Sequence, residues 1–368
     1  DIAKLKPDQN TGDPLTGGYI FKVDKQTGSG GSGWTSAYAP AAGSWQSIFF
    51  QYEYPKQEDI TVQQKNYIQD YVYDFETALK ATNFNDTLNG YRKYAIETTF
   101  IDYFLVNEIS KNVDGYRLST FVHKERDSKG GKLRMGPVWD YDIAWHNADY
   151  CGGDVTSGWA YQFPCPDDYW QVPFWWNRLL QDPLYKSRLK CRWQYLRQTT
   201  LSNQWFDSYI DSIAAQLNEA QVRNFTTWPI LGIYVWPNPW PYATTYQGEV
   251  EGLKNWVHNR LTWLDVNMPG TCTTTADVNF AETYPLFSFY PNPVSSLLTI
   301  EYLTLRKSKV EISLINQQGV QLTAMQTFAE TAGEYTQTID MSAYTAGVYL
   351  VRISINGESY SKKVVKTL

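Results

Sequence analysis

Three aspartates stand at the two ends of a predicted β-hairpin. Asp114 precedes the first strand, residues 117–123, and Asp140 and Asp142 follow the return strand, residues 132–139. A glycine-containing turn separates the two strands. Because an antiparallel hairpin brings the chain back to its starting point, the sequence predicts that the three carboxylates lie close together.

Carboxylates that converge in this way repel one another unless a cation is present. Their hard oxygen atoms suit Mg²⁺ or Mn²⁺, with Ca²⁺ as a third candidate. The Asp140-Tyr141-Asp142 spacing places two carboxylates on the same side of an extended segment. We therefore predict a divalent-cation site at Asp114, Asp140 and Asp142. The alternative is a solvated cluster that is hydrogen-bonded to the backbone of Trp139 and Tyr141.

Helical segments flank this hairpin along the chain. Residues 60–80 and 93–111 carry apolar side chains at helical spacing, which indicates that one face of each helix packs in a core. Three further segments have helical character, namely 174–200, 204–223 and 247–265. The pattern predicts an α+β fold in which a mainly helical domain carries the hairpin and its acidic site.

Composition excludes several classes of protein. The 368 residues carry a formal net charge of −6 and the pI is about 5.2, so the chain lacks the basic face that nucleic-acid binding needs. No apolar run reaches the roughly 18 residues of a membrane span, and we predict no transmembrane segment. The sequence begins at Asp1 without a methionine or a signal-peptide pattern, so we expect residue 1 to lie within a longer precursor.

Aromatic residues make up 16% of the chain, with 15 Trp and 28 Tyr. These rings either fill the core or form platforms on which sugar rings stack. An exposed row of tryptophans would favour carbohydrate binding, and burial would remove that argument. The tryptophans that decide between these readings are Trp159, Trp170, Trp175, Trp176, Trp228, Trp236 and Trp240.

The four cysteines show no zinc-site spacing, and histidine is scarce. Their even number in an extracellular chain allows two disulfides, for which three pairings exist. We favour a bridge between Cys151 and Cys165, which would close a short loop.

The pattern of apolar and polar residues along the chain changes near residue 287. A Thr-rich linker, residues 269–286, is followed by short alternating runs such as residues 310–314 and 348–353. Runs of this length, separated by turns, predict a small Ig-like β-sandwich over residues 287–368.

This C-terminal part resembles the sorting domain of the type IX secretion system of Bacteroidetes. Four segments carry the resemblance in order: 289–294 (FYPNPV), 314–319 (LINQQG), 346–353 (AGVYLVRI) and 362–366 (KKVVK). The resemblance implies that the secretion machinery is a partner and that the product is secreted or displayed on the outer cell surface.

Residues 1–268 resemble the spore coat protein H-like (CotH) family of atypical kinases. The most specific segments are 104–115 (FLVNEISKNVDG), 118–121 (LSTF) and 132–142 (KLRMGPVWDYD). The resemblance implies a kinase-C-lobe-like domain that transfers a phosphoryl group from ATP to a protein hydroxyl with a divalent metal.

The same resemblance implies roles for single residues. Asp114 would be a metal ligand or the base, and Asp140 and Asp142 would be the metal ligands that bridge to the phosphates. Asn112 and Glu108 are second-line candidates for contacts with the cofactor.

One departure affects this interpretation. The nucleotide-contacting lysine and its covering strands are expected upstream of residue 1, so the domain would be truncated. The run 28–33 (GSGGSG) is a poor substitute, because no suitable strand–loop–strand context follows it. Two functions therefore stay open: a surface phosphotransferase acting on a protein substrate, or a non-catalytic module that binds a surface glycan and retains a structural cation site.

Overall fold

The computed structural model describes residues 10–26, 31–272, 287–304, 307–329, 333–355 and 358–367. The chain forms two compact units, Asp1–Thr273 and Thr274–Leu368. The predicted linker 269–286 lies largely outside the described residues. Its first residues contact the first unit, where Ser187 donates a hydrogen bond to the carbonyl of Thr271.

A five-stranded antiparallel sheet forms one layer of the first unit. Its strands are β1 (Tyr19–Val23), β2 (Gly33–Thr35), β3 (Phe49–Tyr54), β4 (Thr120–Lys124) and β5 (Leu133–Met135). Their order in the sheet is β2-β3-β1-β4-β5. Tyr19, Phe21 and Val23 alternate along β1 and are buried, so one face of the sheet covers the core.

The β4–β5 hairpin forms, but it is shorter than the sequence predicts. The first strand begins at Thr120 because Ser119, with φ 46°, and Tyr116, with φ 70°, adopt left-handed backbone conformations. The return strand ends at Met135, where Gly136 has φ 110° and Pro137 has no N–H for the ladder. The acidic residues therefore follow irregular backbone and not a strand end.

The glycine run 28–33 lies between β1 and β2, and both strands pair with β3. The two strands that flank the run are therefore not paired with each other as a hairpin. A Cβ on Gly33 would lie 1.9 Å from the carbonyl oxygen of Phe50, so β2 needs glycine there. Residues 27–30 lie outside the described residues.

The described residues of the first unit also contain eight α-helices. They are α1 (Asp13–Thr16), α2 (Val62–Lys80), α3 (Glu97–Ser110), α4 (Trp175–Leu179), α5 (Pro183–Gln198), α6 (Asn203–Gln216), α7 (Asn218–Thr227) and α8 (Tyr246–Asn267). The predicted helix 174–200 is divided because Asp182 caps a new helix that has Pro183 in its first turn. The predicted helix 204–223 is divided at Leu217. Among the described residues, no helix is both long and apolar enough to cross a bilayer.

Aromatic side chains form the centre of the core between α2, α3 and α4. Trp175 and Trp176 are each 1% exposed. The Trp175 ring lies 5.2 Å from the ring of Phe75, and the Trp176 ring lies 4.6 Å from the ring of Tyr116. Burial of these large rings stabilises the fold, and it removes two of the seven tryptophans from any sugar-binding surface.

The first unit contains two disulfides. Cys151 pairs with Cys165, as the sequence predicts, and Cys191 of α5 pairs with Cys272. The first bridge closes a loop next to the predicted acidic site. The second ties the chain beyond α8 to α5.

The second unit consists of two antiparallel sheets that share one apolar core. Its strands are β6 (Phe287–Tyr290), β7 (Leu297–Thr304), β8 (Ser308–Ile315), β9 (Gln321–Ala329), β10 (Gly333–Asp340), β11 (Gly347–Ile355) and β12 (Glu358–Lys366). The sheet orders are β10-β7-β6 and β12-β11-β8-β9. The chain is thus α+β overall, with an all-β C-terminal unit.

Candidate active site

Two stretches of backbone run side by side and bring the predicted aspartates together. The N–H of Trp145 donates to the carbonyl of Ser110 at 2.7 Å, and the N–H of Val113 donates to the carbonyl of Ile143 at 3.5 Å. The Ser119 hydroxyl donates to Oδ2 of Asp140 at 3.2 Å. Residues 110–119 and 140–145 therefore form one surface, which we call the acidic site.

Asp114 is the most enclosed of the three aspartates, with a side chain that is 13% exposed. Its Oδ1 accepts a hydrogen bond from Nη2 of Arg117 at 3.0 Å. Its backbone N–H donates to Oδ1 of Asn112 at 3.1 Å. Asn112 is buried and acts on the backbone of Asp114, so it fixes the turn that presents the carboxylate.

Arg117 is a central residue of the site that sequence reasoning missed. Its side chain is 3% exposed and also pairs with Asp168 at 3.3 Å. Its Nε donates to the carbonyl of Val113 at 2.9 Å, and its guanidinium lies 4.0 Å from the ring centre of Phe163. These contacts fix Arg117, which in turn orients Asp114. The Asp-x-x-Arg spacing of residues 114 and 117 was the available signal.

Electrostatics link the three aspartates. Burial raises the pKa of Asp114 above its ordinary value; the positive charges of Arg117 and Lys25 oppose this rise, and the negative charges of Asp140 and Asp142 add to it. Lys25 comes from the loop after β1, and sequence reasoning had no signal for it because it lies far away along the chain.

Asp140 and Asp142 are exposed at the rim of the site. Asp140 has φ 65°, a left-handed conformation that aspartate tolerates better than most residues. In the described parts of the chain, every non-glycine residue with positive φ lies between 111 and 151: Lys111, Tyr116, Ser119, Asp140, Trp145, His146 and Cys151. Strain of this kind concentrates at functional sites, where the surrounding structure holds it in place.

The donor set fits a cation that is shared with phosphate, and not a closed protein cage. Within the described ranges, no three Asp, Glu, His or Cys side chains are grouped so that they could hold a metal ion. One Asp114 oxygen is already bound by Arg117. Mg²⁺ in phosphoryl-transfer sites is held by one or two carboxylates together with substrate phosphates, and Asp140 and Asp142 could supply these carboxylates.

Glu108 of α3 lies in a different environment. It is fully buried, and Oε1 accepts from the Tyr116 hydroxyl at 2.9 Å and from the N–H of Tyr161 at 3.0 Å. Oε2 accepts from the N–H of Ala160 at 2.8 Å and from Nη2 of Arg260 at 3.1 Å. The structure thus gives each carboxylate oxygen two protein partners, and the predicted contact with a cofactor stays a prediction.

Aromatic residues border the acidic site. The Tyr150 ring stacks on the Trp236 ring at 6.1 Å with 12° between the planes. The Tyr234 hydroxyl donates to Oδ2 of Asp149 at 2.7 Å. These contacts place the loop 228–245, between α7 and α8, beside the residues that follow Asp142.

The tryptophans divide into two groups. Trp175 and Trp176 are buried, and Trp159 and Trp170 are partly buried. The exposed ones lie together in the loop 228–245: Trp228 at 64%, Trp236 at 66% and Trp240 at 78%. These three rings are exposed as carbohydrate binding requires, and Trp45, Trp139 and Trp205 are exposed elsewhere in the first unit.

Two family models match the chain. The model described as "CotH kinase protein" matches residues 6–264, and the model described as "Secretion system C-terminal sorting domain" matches residues 288–367. No curated protein matches the chain.

Proposed function

The chain belongs to the CotH kinase protein family and carries a type IX secretion sorting domain, and from this premise we propose that it is a metal-dependent phosphotransferase at the cell surface. The sorting domain indicates a secreted or surface-attached protein that interacts with the secretion machinery. In this proposal, the enzyme transfers a phosphoryl group from ATP to a serine or threonine hydroxyl of a protein. The first unit corresponds to a kinase-C-lobe-like domain, and the second to an Ig-like sandwich.

The observation that supports the proposal is the position of Asp114, which is paired with Arg117 and lies within electrostatic range of Lys25, Asp140 and Asp142. Asp114 is the base that accepts the proton of the acceptor hydroxyl, and its raised pKa strengthens it in this role. Arg117 holds one oxygen of Asp114 in place. Lys25 lies within electrostatic range of the same carboxylate.

Asp140 and Asp142 hold the divalent cation in this proposal, because they are exposed and neighbour Asp114. Mg²⁺ or Mn²⁺ would neutralise the charge on the transferred phosphoryl group when bound. Ca²⁺ fits less well, since it takes six to eight oxygen ligands. Asn112 and Glu108 support the site from within the protein in this scheme.

A calorimetric titration of the full chain with ATP and Mn²⁺ tests this function. We expect binding by the wild type and its loss in Asp140→Asn and Asp142→Asn, which keep the side-chain shape. Transfer of labelled phosphate to dephosphorylated casein should be lost in the same variants. Asp70→Asn, which changes an exposed carboxylate on α2, is the matched control and should behave as the wild type.

Wild-type protein that binds no ATP with Mn²⁺ would contradict phosphotransfer. We propose for that case a second function, a non-catalytic surface module that binds a glycan and retains a structural cation site. The exposed Trp228, Trp236 and Trp240 favour it, because aromatic faces cover the apolar faces of sugar rings.

A further inference from the structure

A cavity of about 590 Å³ lies beside the acidic site in the first unit. Its walls come from α8, from the loop 228–245 and from residues 145–147. This volume is within the range of small-molecule sites in proteins. None of these walls is a β-strand, so an extended peptide could not pair with a strand edge here.

The face of α8 that lines this cavity has an unusual composition. Gly248, Gly252, Asn255 and Asn259 follow one another at helical spacing and all line the cavity. Glycine and asparagine are poor helix formers, and each glycine costs about 1 kcal/mol relative to alanine. These four residues therefore lower the intrinsic stability of α8 on the side that faces the cavity.

Packing explains one of the two glycines. A Cβ on Gly248 would lie 2.9 Å from the Cβ of Ala243, so the loop approaches too closely for a side chain. A Cβ on Gly252 would meet no atom within 4 Å. Glycine at 252 is thus not required by the protein's own atoms, and it leaves room in the cavity.

The chemistry of the lining selects a class of ligand. Four amide side chains, Asn147, Asn238, Asn255 and Asn259, combine donor and acceptor groups as the hydroxyls of a sugar do. Among the described residues, no lysine or arginine lines the cavity, which argues against nucleotides and other anions. Asn147, Asn255 and Asn259 are exposed and Asn238 is half-buried, so these amide groups can be reached by a ligand that enters the cavity.

Rings supply the complementary apolar surface. Trp145, Trp256 and Tyr242 line the cavity. The His146 ring stacks on Trp256 at 5.9 Å, and its buried Nδ1 has no hydrogen-bond partner among the described residues.

We infer that this cavity binds a neutral saccharide of two or more rings, which continues onto the exposed Trp236 and Trp240 of the same loop. Pro239 and Pro241, on either side of Trp240, line the cavity, so the loop connects the cavity to the exposed rings. This inference rests on the glycan binding proposed above as part of the second function, and it holds whether or not the protein also transfers phosphate.

Gly252→Leu is the decisive variant, because Gly252 lines the cavity and a Cβ at this position would meet no atom within 4 Å. The full chain is titrated with four neutral disaccharides, namely maltose, cellobiose, xylobiose and N,N′-diacetylchitobiose, while tryptophan fluorescence is recorded. We expect at least one to bind with Kd below about 10 mM, and Gly252→Leu to weaken that binding at least about tenfold. Asn255→Ala should have the same direction of effect through a lost hydrogen bond.

Glu251→Leu adds the same side chain one position earlier, away from the cavity lining, and should bind as the wild type does. Thermal unfolding of each variant confirms that it folds. Failure of all four disaccharides to bind, or wild-type affinity in Gly252→Leu, would overturn the inference. Binding of a neutral serine-containing peptide that Gly252→Leu abolishes would overturn it too, in favour of a peptide site.

Titration with ATP and Mn²⁺ in parallel separates this inference from phosphotransfer. Asp140→Asn should lose ATP and keep the disaccharide, whereas Gly252→Leu should show the reverse pattern. Loss of both ligands in Asp140→Asn would mean that one shared site binds them, which contradicts a separate saccharide cavity.

Discussion

Two groups of carboxylates near the end of α3 have opposite environments. Glu108 is fully buried, and Arg260 and three other donors satisfy its two oxygens. Asp114 is largely enclosed beside the exposed Asp140 and Asp142, and Arg117 and Lys25 only partly offset the combined effect of burial and of these two negative charges on it. The negative charge of Glu108 is therefore balanced by groups of the protein, whereas the charges of the three aspartates are balanced only in part.

This difference distinguishes a structural carboxylate from a candidate functional one. A buried charge must find all its partners inside the protein, or folding becomes too costly. An exposed carboxylate can keep an unbalanced negative charge because water screens it. A cation, or a metal ion bound to phosphate, can then bind there and neutralise that charge. The contrast therefore predicts large stability effects in the first group and binding effects in the second.

The largest effect should come from removal of the cation beside Glu108. Arg260→Met should lower the free energy of unfolding by about 3–5 kcal/mol, because an ionised carboxylate stays buried without its partner. Urea unfolding followed by tryptophan fluorescence measures this in the full chain, since all 15 Trp lie in the first unit.

Two controls test that reason. Arg223→Met breaks an exposed ion pair with Glu219 and should cost no more than about 0.5 kcal/mol. The double variant with Arg260→Met and Glu108→Gln should recover part of the loss, since no charge remains. A double variant that is less stable than Arg260→Met would show that packing, and not charge, dominates.

A smaller effect concerns Glu76 of α2, which is buried like Glu108 but without a cation. Burial raises its pKa to about 7, although Ser36 and Trp175 donate hydrogen bonds to its oxygens. The folded protein therefore binds this proton more tightly than the unfolded chain, so stability is lost as the pH rises from about 4.5 through 7.

Glu76→Gln should remove this loss, which is roughly 3 kcal/mol for a pKa raised from 4.5 to about 7 at 1.36 kcal/mol per pKa unit. The measurement compares urea unfolding of the wild type and the variant at several pH values. Absolute stability can differ between the two proteins, because the amide changes one hydrogen bond. Parallel pH profiles would contradict an uncompensated buried carboxyl at this position.

The smallest change in stability is expected at the rim. Asp140→Asn should alter the free energy of unfolding by no more than about 0.5 kcal/mol, since Asp140 is exposed and asparagine also tolerates positive φ. The pKa of Asp114 should fall in this variant, because one negative neighbour is removed. NMR titration of labelled aspartate carboxyls measures the shift. An unchanged Asp114 pKa would contradict an electrostatic interaction between Asp114 and Asp140.

Local patterns allowed a large part of the architecture to be predicted. The apolar stripe of residues 60–80 produced α2, whose buried Ile68, Val72 and Phe75 lie on one face. The turn between β4 and β5 likewise brought Asp114 near Asp140 and Asp142. Periodicity and hairpin closure are local properties, and a single sequence contains them.

Other features depend on contacts between distant residues. Lys25 reaches the acidic site from the loop after β1, and Arg260 reaches Glu108 from α8. The strands β2 and β3 were not predicted, although β3 completes the sheet beside β1. No local pattern specifies which distant element will pack there.

The sequence by itself determined the family and the all-β C-terminal unit, because segment patterns encode them. Only the tertiary structure decided which carboxylates have hydrogen-bond and ion-pair partners within the protein, and which glycine of α8 faces open space. Burial and long-range pairing set these environments, and both arise only when distant parts of the chain pack together.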